Sequence, residues 1–321
     1  MRDILHLALA PMAGITDQVF RGLCFEKGCD LATTEMVSAQ GFLTAPKDRN
    51  AYRFLLARQE NEGPLAVQIF GSVPEHMEMA AARLSEMGLF SAVDINMGCP
   101  AQKVVGGQSG SALMKDIPLA AEIVRRCVKA SLLPVTVKMR IGWDEESINA
   151  VDFAKAVTDA GAAALCVHGR TRKQQYSGQA NWEEIAKVRQ AVSVPVTANG
   201  DIWNAASALE CARVTGCSSL AMGRGALGNP WLFEEIKAAF EGKEWKKPPV
   251  EEIVALALRH GREMIAWKGE KSGMLEMRKH FGWYVTGQRG VAKLRTRLNL
   301  ASSLSEVEDI LSLLLNKETE D

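Results

Sequence analysis

The sequence predicts an α/β protein, a (β/α)8 TIM barrel followed by a small C-terminal helical domain. Three observations carry that prediction. Eight short apolar or β-branched runs recur between residues 5 and 222, separated by longer amphipathic segments. The ends of those runs, at Pro11, Glu35, Gln68, Asn96, Lys138, His168, Asn199 and Gly223, lie 24 to 42 residues apart. That spacing holds one strand, one crossover helix and two loops per repeat. After Pro248-Pro249 the pattern becomes purely helical.

The strand-like runs are Leu5–Ala10, Asp30–Thr34, Leu65–Phe70, Ser91–Ile95, Pro134–Met139, Ala163–Val167, Pro195–Ala198 and Ser218–Met222. Helical apolar spacing marks Pro74–Met87, Leu119–Ala130, Ile148–Ala160, Trp182–Ala191 and Ala205–Val214. Thr16 or Asp17, Asp116 and Asn204 are N-cap candidates, and Gly28, Gly88, Gly161 and Gly216 stand where helices should end. A doubly wound open sheet is the alternative. It usually carries Gly-x-Gly-x-x-Gly after its first strand, and the first turn here is Pro11-Met12-Ala13-Gly14. A linker is expected near residues 241–249, giving a barrel over 1–242 and a helical domain over 243–321.

With 47% apolar and 24% charged residues, the 321-residue chain has the make-up of an ordinary globular protein. No apolar run approaches the ~20 residues of a membrane span, and the N-terminus lacks a signal-peptide profile. Seven cysteines without a Cys-x-x-Cys pair fit reduced thiols, so the cytoplasm is expected and no metal site is. The net charge of zero is unevenly distributed. Residues 1–242 carry 24 Lys+Arg and 26 Asp+Glu, residues 243–297 carry 13 and 6, and residues 298–321 carry 1 and 6. The middle block, at +7, is either a polyanion footprint or a solvated helical face.

Asp94-Ile95-Asn96-Met97-Gly98-Cys99-Pro100 is the most specific segment. Glycine, cysteine and proline end an extended run abruptly, which places Cys99 at a strand end facing a site. A free thiol, with a reference pKa of about 8.5, is mostly protonated at neutral pH and can donate that proton. A buried structural cysteine is the competing reading. The other strand ends are also polar: Glu35, Gln68, Asn96, Lys138 with Arg140, His168 with Arg170, Asn199-Gly200-Asp201 and Gly223-Arg224. Any one could be a cap or a rim charge, but catalytic groups of such barrels sit at these ends. The glycines after strands seven and eight suit a phosphate, with Arg224 as a bidentate partner. Lys138 and Gln68 could then meet opposite edges of a flavin ring.

These segments, with Ala10–Gly14, Val137–Arg140, His168–Arg172, Asn199–Ile202 and Gly223–Gly225, resemble the flavin-dependent tRNA-dihydrouridine synthases. The likeness continues into Arg278-Lys279-His280 and Trp283-Tyr284. Glu35–Ser38 and the His168–Gln174 stretch look most like the bacterial B-type branch. The resemblance implies an enzyme that reduces a specific uridine of tRNA to 5,6-dihydrouridine, with FMN bound and re-reduced by NADPH. It implies that Pro11, Met12 and Ala13 line the flavin with backbone groups, while Gln68, Lys138 and His168 contact it. Asn199, Gly200, Asp201, Gly223 and Arg224 would hold its phosphate. Cys99 would be the general acid, and Asn96, Arg140 and Tyr176 would contact the uracil.

The chemistry agrees. Reducing the C5–C6 bond of uracil needs a hydride at one carbon and a proton at the other, which flavin and thiol can supply. A base in folded RNA must leave its stack to reach a barrel floor. The basic block, with Arg278, Lys279, Arg289, Lys293, Arg295 and Arg297, is expected to face tRNA. Trp283 is expected to serve the domain's small core. Nothing calls for a membrane or a stable protein partner, so a monomer is expected. A dihydroorotate- or dihydropyrimidine-dehydrogenase-like enzyme would need no such basic block. An RNA-binding module on a vestigial barrel would not need Cys99, Lys138 and Arg224.

Overall fold

The computed structural model describes residues 5–45, 52–287 and 291–315. The chain divides into two compact units, Met1–Gly223 and Arg224–Asp321. In chain order the first holds β1 (His6–Leu9), α1 (Gln18–Glu26), β2 (Leu31–Thr33), β3 (Val37–Ser38), α2 (Ala39–Thr44), β4 (Leu65–Phe70), α3 (Pro74–Ser85) and β5 (Ala92–Met97). Then come α4 (Gln102–Val105), α5 (Ile117–Ala130), β6 (Val135–Gly142), α6 (Ala150–Asp159), β7 (Ala164–Thr171), α7 (Trp182–Ala191), β8 (Val196–Asn199), α8 (Ala205–Thr215) and β9 (Ser219–Met222). Every strand pair is parallel, in the order β2-β1-β9-β8-β7-β6-β5-β4-β3, and a β2–β4 pairing closes the ring. Eight strands therefore form the expected (β/α)8 barrel.

All eight expected runs are strands, and the departures have local causes. The second strand is interrupted. β2 pairs with Leu65 and Ala66, β3 resumes opposite Ile69 and Phe70, and between them Thr34 Oγ1 accepts from Gln68 N at 3.0 Å. β6 and β7 run past their expected ends at Met139 and Val167, with a register shift between Arg140 and Gly142. Their polar ends read as loop because Arg140 and His168 face inward and cannot join an apolar run. Asp17, Asp116 and Asn204 cap α1, α5 and α8 as expected.

Helices bury the outer strand faces. Leu7, Leu9, Val67, Ile69, Val93, Ile95, Val137, Met139, Val167, Leu220 and Met222 are each fully buried. Each large apolar side chain removed from water contributes roughly 1.5–3 kcal/mol, which makes this layer the main source of barrel stability. A buried bidentate pair braces the first turn. Arg21 meets Glu62 at 2.7 and 3.2 Å and donates to the carbonyls of Thr16 and Ala57.

The second unit holds α9 (Leu232–Glu241), α10 (Val250–Lys268), α11 (Glu270–Tyr284), α12 (Val291–Leu300) and α13 (Leu304–Leu315). It starts at Arg224, against an expected boundary at 242/243, and the turn before α9 packs against the later helices. Trp231 Nε1 donates to Glu252 at 2.9 Å. A Cβ on Gly228 would lie 2.3 Å from the Trp283 backbone. Half-buried Trp283 lies edge-on to His280, at 5.0 Å between ring centroids. His280 in turn meets His260 at 4.7 Å, and His260 Nδ1 is 3.2 Å from Tyr284 Oη.

Burial pushes His260 down to about 3 and His280 well below its ordinary value. Both imidazoles are neutral in the folded unit, whereas the unfolded chain protonates them near pH 6.5. Folding stability contributed by this core is therefore complete above that pH and falls as the pH drops towards 3. Lowering the pH from 7 to 5 should cost up to about 2 kcal/mol per histidine. Urea unfolding followed by tryptophan fluorescence checks this, and a helical unit equally stable at both pH values would contradict it.

Candidate active site

The site follows from strand register. Paired residues on neighbouring parallel strands share a face, and Gln68 pairs with Asp94, Asn96 with Lys138, Arg140 with His168, and His168 with Asn199. Lys138 Nζ donates to Asn199 Oδ1 at 3.0 Å from two strands away, which fixes this face as the interior. Barrels of this class usually fill that space with branched apolar side chains. Here the interior is polar on the β4–β8 side and small elsewhere, where Ala8, Ala10 and Ala221 cluster with Cys166.

Buried polar groups are costly unless paired, and these are paired. Thr136 Oγ1 donates to Asp94 Oδ1 at 2.6 Å, and Gln68 Nε2 donates to Asp94 Oδ2 at 2.7 Å. Asn96 Nδ2 donates to Gln68 Oε1 at 2.8 Å. Asn96 Oδ1 accepts from Gly98 N at 3.1 Å and Cys99 N at 2.9 Å. Asn199 Nδ2 donates to the Ala221 carbonyl at 2.8 Å. The amide of Asn96 thus shapes the turn that presents Cys99.

Cys99 is half-buried, and its carbonyl accepts from Ser111 N at 3.1 Å and Ser111 Oγ at 2.8 Å. Gly110, at φ +61°, makes that clamp possible, since a Cβ there would stand 2.9 Å from the Cys99 carbonyl oxygen. Five of the seven cysteines are buried, and burial pushes Cys127 and Cys211 up to about 12. They are packing residues, whereas Cys99 is accessible at the strand end.

The loops at the strand ends are tied to one another. Arg140 donates to the carbonyls of Gly98 at 2.7 Å, Thr171 at 2.9 Å and Gln175 at 3.0 Å, with its guanidinium 5.9 Å from the ring of exposed Tyr176. Arg170 donates to the carbonyls of Ser177 and Gly178 and to Asp201 Oδ2 at 2.8 Å. Asp201 also accepts from Ala180 N at 2.7 Å, so its carboxylate braces the loop after β8. Trp182 Nε1 donates to the Gly200 carbonyl at 3.0 Å. Gly200 has φ +120°, and a Cβ there would meet Ala180 Cβ at 2.8 Å and the His168 ring at 3.0 Å.

After β1, Met12 N donates to Thr16 Oγ1 at 3.0 Å and Gly14 N donates to Glu35. Pro11 and Met12 are half-buried and Ala13 is exposed. The barrel unit therefore brings together Gln68, Asn96, Cys99, Lys138, Arg140, His168, Tyr176 and Asn199–Asp201. Gly223 ends this unit, while Arg224 opens the second in a short turn, Arg224–Ala226. Asp94, Thr136 and Ser111 are the polar members that strand-end reasoning left without a role. The signal for the first two was the alternation of polar and apolar residues within strands that parallel sheets usually make continuously apolar.

In the helical unit the basic block is partly spent internally. Arg259 pairs with Glu263, Arg262 with Glu308 and Lys268 with Glu276, and Arg278 Nε donates to the Ala301 carbonyl at 3.0 Å. Lys293, Arg295 and Arg297 are exposed on α12, above the buried Val291, Leu294 and Leu298, with no ion pair among the described residues. Arg289 lies outside the described residues. Among those residues there is no cluster suited to a metal ion, and no helix is long and apolar enough to cross a membrane.

Comparison with known proteins agrees with this geometry. The dihydrouridine synthase family model matches residues 8–319. A probable tRNA-dihydrouridine synthase of Rickettsia bellii is 40% identical over 305 residues, 95% of this chain and 93% of that protein. The tRNA-dihydrouridine synthase B of Pseudomonas aeruginosa is 42% identical over 295 residues, 92% of this chain and 88% of that one. Among solved structures, a mandelate oxidase mutant with benzaldehyde superposes at a TM-score of 0.50 with 18% identity, covering 73% of each chain, which speaks for the fold alone. A match along nearly its whole length and relatives at 40–42% identity lead to one conclusion: the chain belongs to the dihydrouridine synthase family.

Proposed function

We propose that this enzyme reduces a uridine of tRNA to 5,6-dihydrouridine in the cytoplasm, with FMN as the bound cofactor and NADPH as its reductant. The observation that carries this reading is an accessible thiol, Cys99, clamped at the end of a barrel interior that is polar and paired on one side and lined by alanines on the other. The residues present fit FMN. Ala8, Ala10 and Ala221 leave room for a flat ring, and Lys138 and Gln68 offer charge and an amide to it. The glycine-containing loop Asn199–Asp201 and Gly223 suit its phosphate. His168, held against Gly200, and the Pro11–Ala13 turn would border it. The phosphate role of Arg224 is an expectation from its place directly after Gly223.

When bound, FMN supplies the hydride. Cys99 delivers the proton to the other carbon of the uracil C5–C6 bond, on the geometry that Asn96 and Ser111 impose on its backbone. Asn96, Arg140 and Tyr176 would contact the uracil, with Arg140 held by its three carbonyl contacts and Tyr176 offering an exposed ring for the turned-out base. Asp201 acts through Arg170, keeping its loop in place. The helical unit would bind tRNA phosphates through Lys293, Arg295 and Arg297, a need that an enzyme acting on free pyrimidines does not have. Mapping dihydrouridine in tRNA from cells with and without this gene tests the reading. A site that loses the modification supports it, and an unchanged map opposes it.

Two variants probe the parts separately. Gly200→Ala should force the loop after β8 to shift at a cost of about 1–3 kcal/mol, so the purified protein should carry less FMN while its far-UV spectrum stays unchanged. Neutralising Lys293, Arg295 and Arg297 together should weaken tRNA binding and flatten its salt dependence by up to about three counterions. Flavin content and NADPH oxidation should remain those of the parent.

A further inference from the structure

The geometry points to Asp94 as a positioning residue that sets the direction of the Gln68 and Asn96 amides and, through them, the backbone at Cys99. The inference rests on the flavin and thiol roles proposed above. Both oxygens of Asp94 act as acceptors, so Gln68 turns its NH2 towards Asp94 and its carbonyl oxygen away. That oxygen can then be met only by a donor, which is Asn96 Nδ2 at 2.8 Å. Asn96 is left with its oxygen facing the amides of Gly98 and Cys99. One acceptor group thus gives the whole chain of amides a single polarity, from Asp94 to the turn that presents Cys99. Thr136 Oγ1 donates to the other carboxylate oxygen at 2.6 Å, so both oxygens of Asp94 are engaged as acceptors.

Asp94 is 5% exposed, and no polar ligand at the mouth is required to satisfy it. Burial pushes its carboxyl above the ordinary carboxylate value, while the bonds from Gln68 and Thr136 and the charge of Lys138 pull the other way. A plain apolar residue would avoid that conflict. Asp94 instead orients Gln68 and Asn96, and its charge interacts with that of Lys138.

The test is a pair of holoenzyme variants. Asp94→Asn keeps an acceptor but also offers a donor, so the amides lose their unique polarity. Asp94→Ala removes the acceptor. Turnover with tRNA should fall about 10-fold in the first and about 100-fold in the second, because a misdirected proton donor loses part of a general-acid contribution of about 10²–10⁴-fold. The KM for tRNA should stay within about twofold, because neither change touches the RNA face. The midpoint potential of the bound flavin should rise in both, since a negative charge beside Lys138 is lost. A purely structural role would lower stability and leave the turnover of the folded, flavin-loaded variant at the parental value. Parental turnover and potential in both variants would overturn the inference. If Asp94→Ala fails to fold, Asp94→Asn decides alone by the same two readouts. Parent protein that purifies without flavin would instead overturn the functional reading beneath it.

Discussion

Everything at the mouth of this barrel depends on the register of β5 between β4 and β6. Because Gln68, Asp94 and Thr136 lie side by side, and Asn96 lies beside Lys138, the polar members of three strands fall on one face. A slip of one residue would exchange Asp94 and Asn96 for Val93 and Ile95 and bury charge against the helices. Register is therefore enforced from both sides. Apolar residues are needed under the helices, and Gln68, Asp94, Asn96 and Thr136 are satisfied by one another across the three strands.

A polar interior gives up the branched apolar layers that usually fill such barrels. The compensation lies outside the ring, in the helix-facing layer and in buried ties such as Arg21–Glu62. Inside it, alanines at positions 8, 10 and 221 keep volume open while hydrogen bonds hold the remaining side chains in fixed orientations. Such fixed dipoles are what a reductive site needs, because they require little rearrangement as charge develops. The helical unit is built differently. Its core contains neutral histidines, and its outward charge is concentrated where α12 carries cations without acidic partners among the described residues.

Much of this was legible in the sequence because it is local. Strand runs, capping Asp17, Asp116 and Asn204, and the abrupt Gly98-Cys99-Pro100 turn are all set by neighbours in the chain. What escaped is long-range. Gln68 and Thr136 reach Asp94 from 26 and 42 residues away, and Lys138 reaches Asn199 across 61. Arg140 and Asp201 are equally instructive. Besides the ligand contacts expected of them as strand-end polar residues, their side chains join loops that lie far apart in the chain. The extensions of β6 and β7 were hidden because inward-facing Arg140 and His168 look like loop residues.

The central claim is that Cys99 supplies the proton while the rest of the site is independent of it. The most direct measurement is anaerobic reoxidation of the NADPH-reduced enzyme by uridine-containing tRNA, comparing the parent with Cys99→Ala. The account predicts that the variant retains FMN, is reduced by NADPH and binds tRNA as the parent does. Its reoxidation by tRNA should nevertheless be slower by about 10²–10⁴-fold. Reoxidation at the parental rate, with dihydrouridine formed, would assign Cys99 to packing and contradict the account.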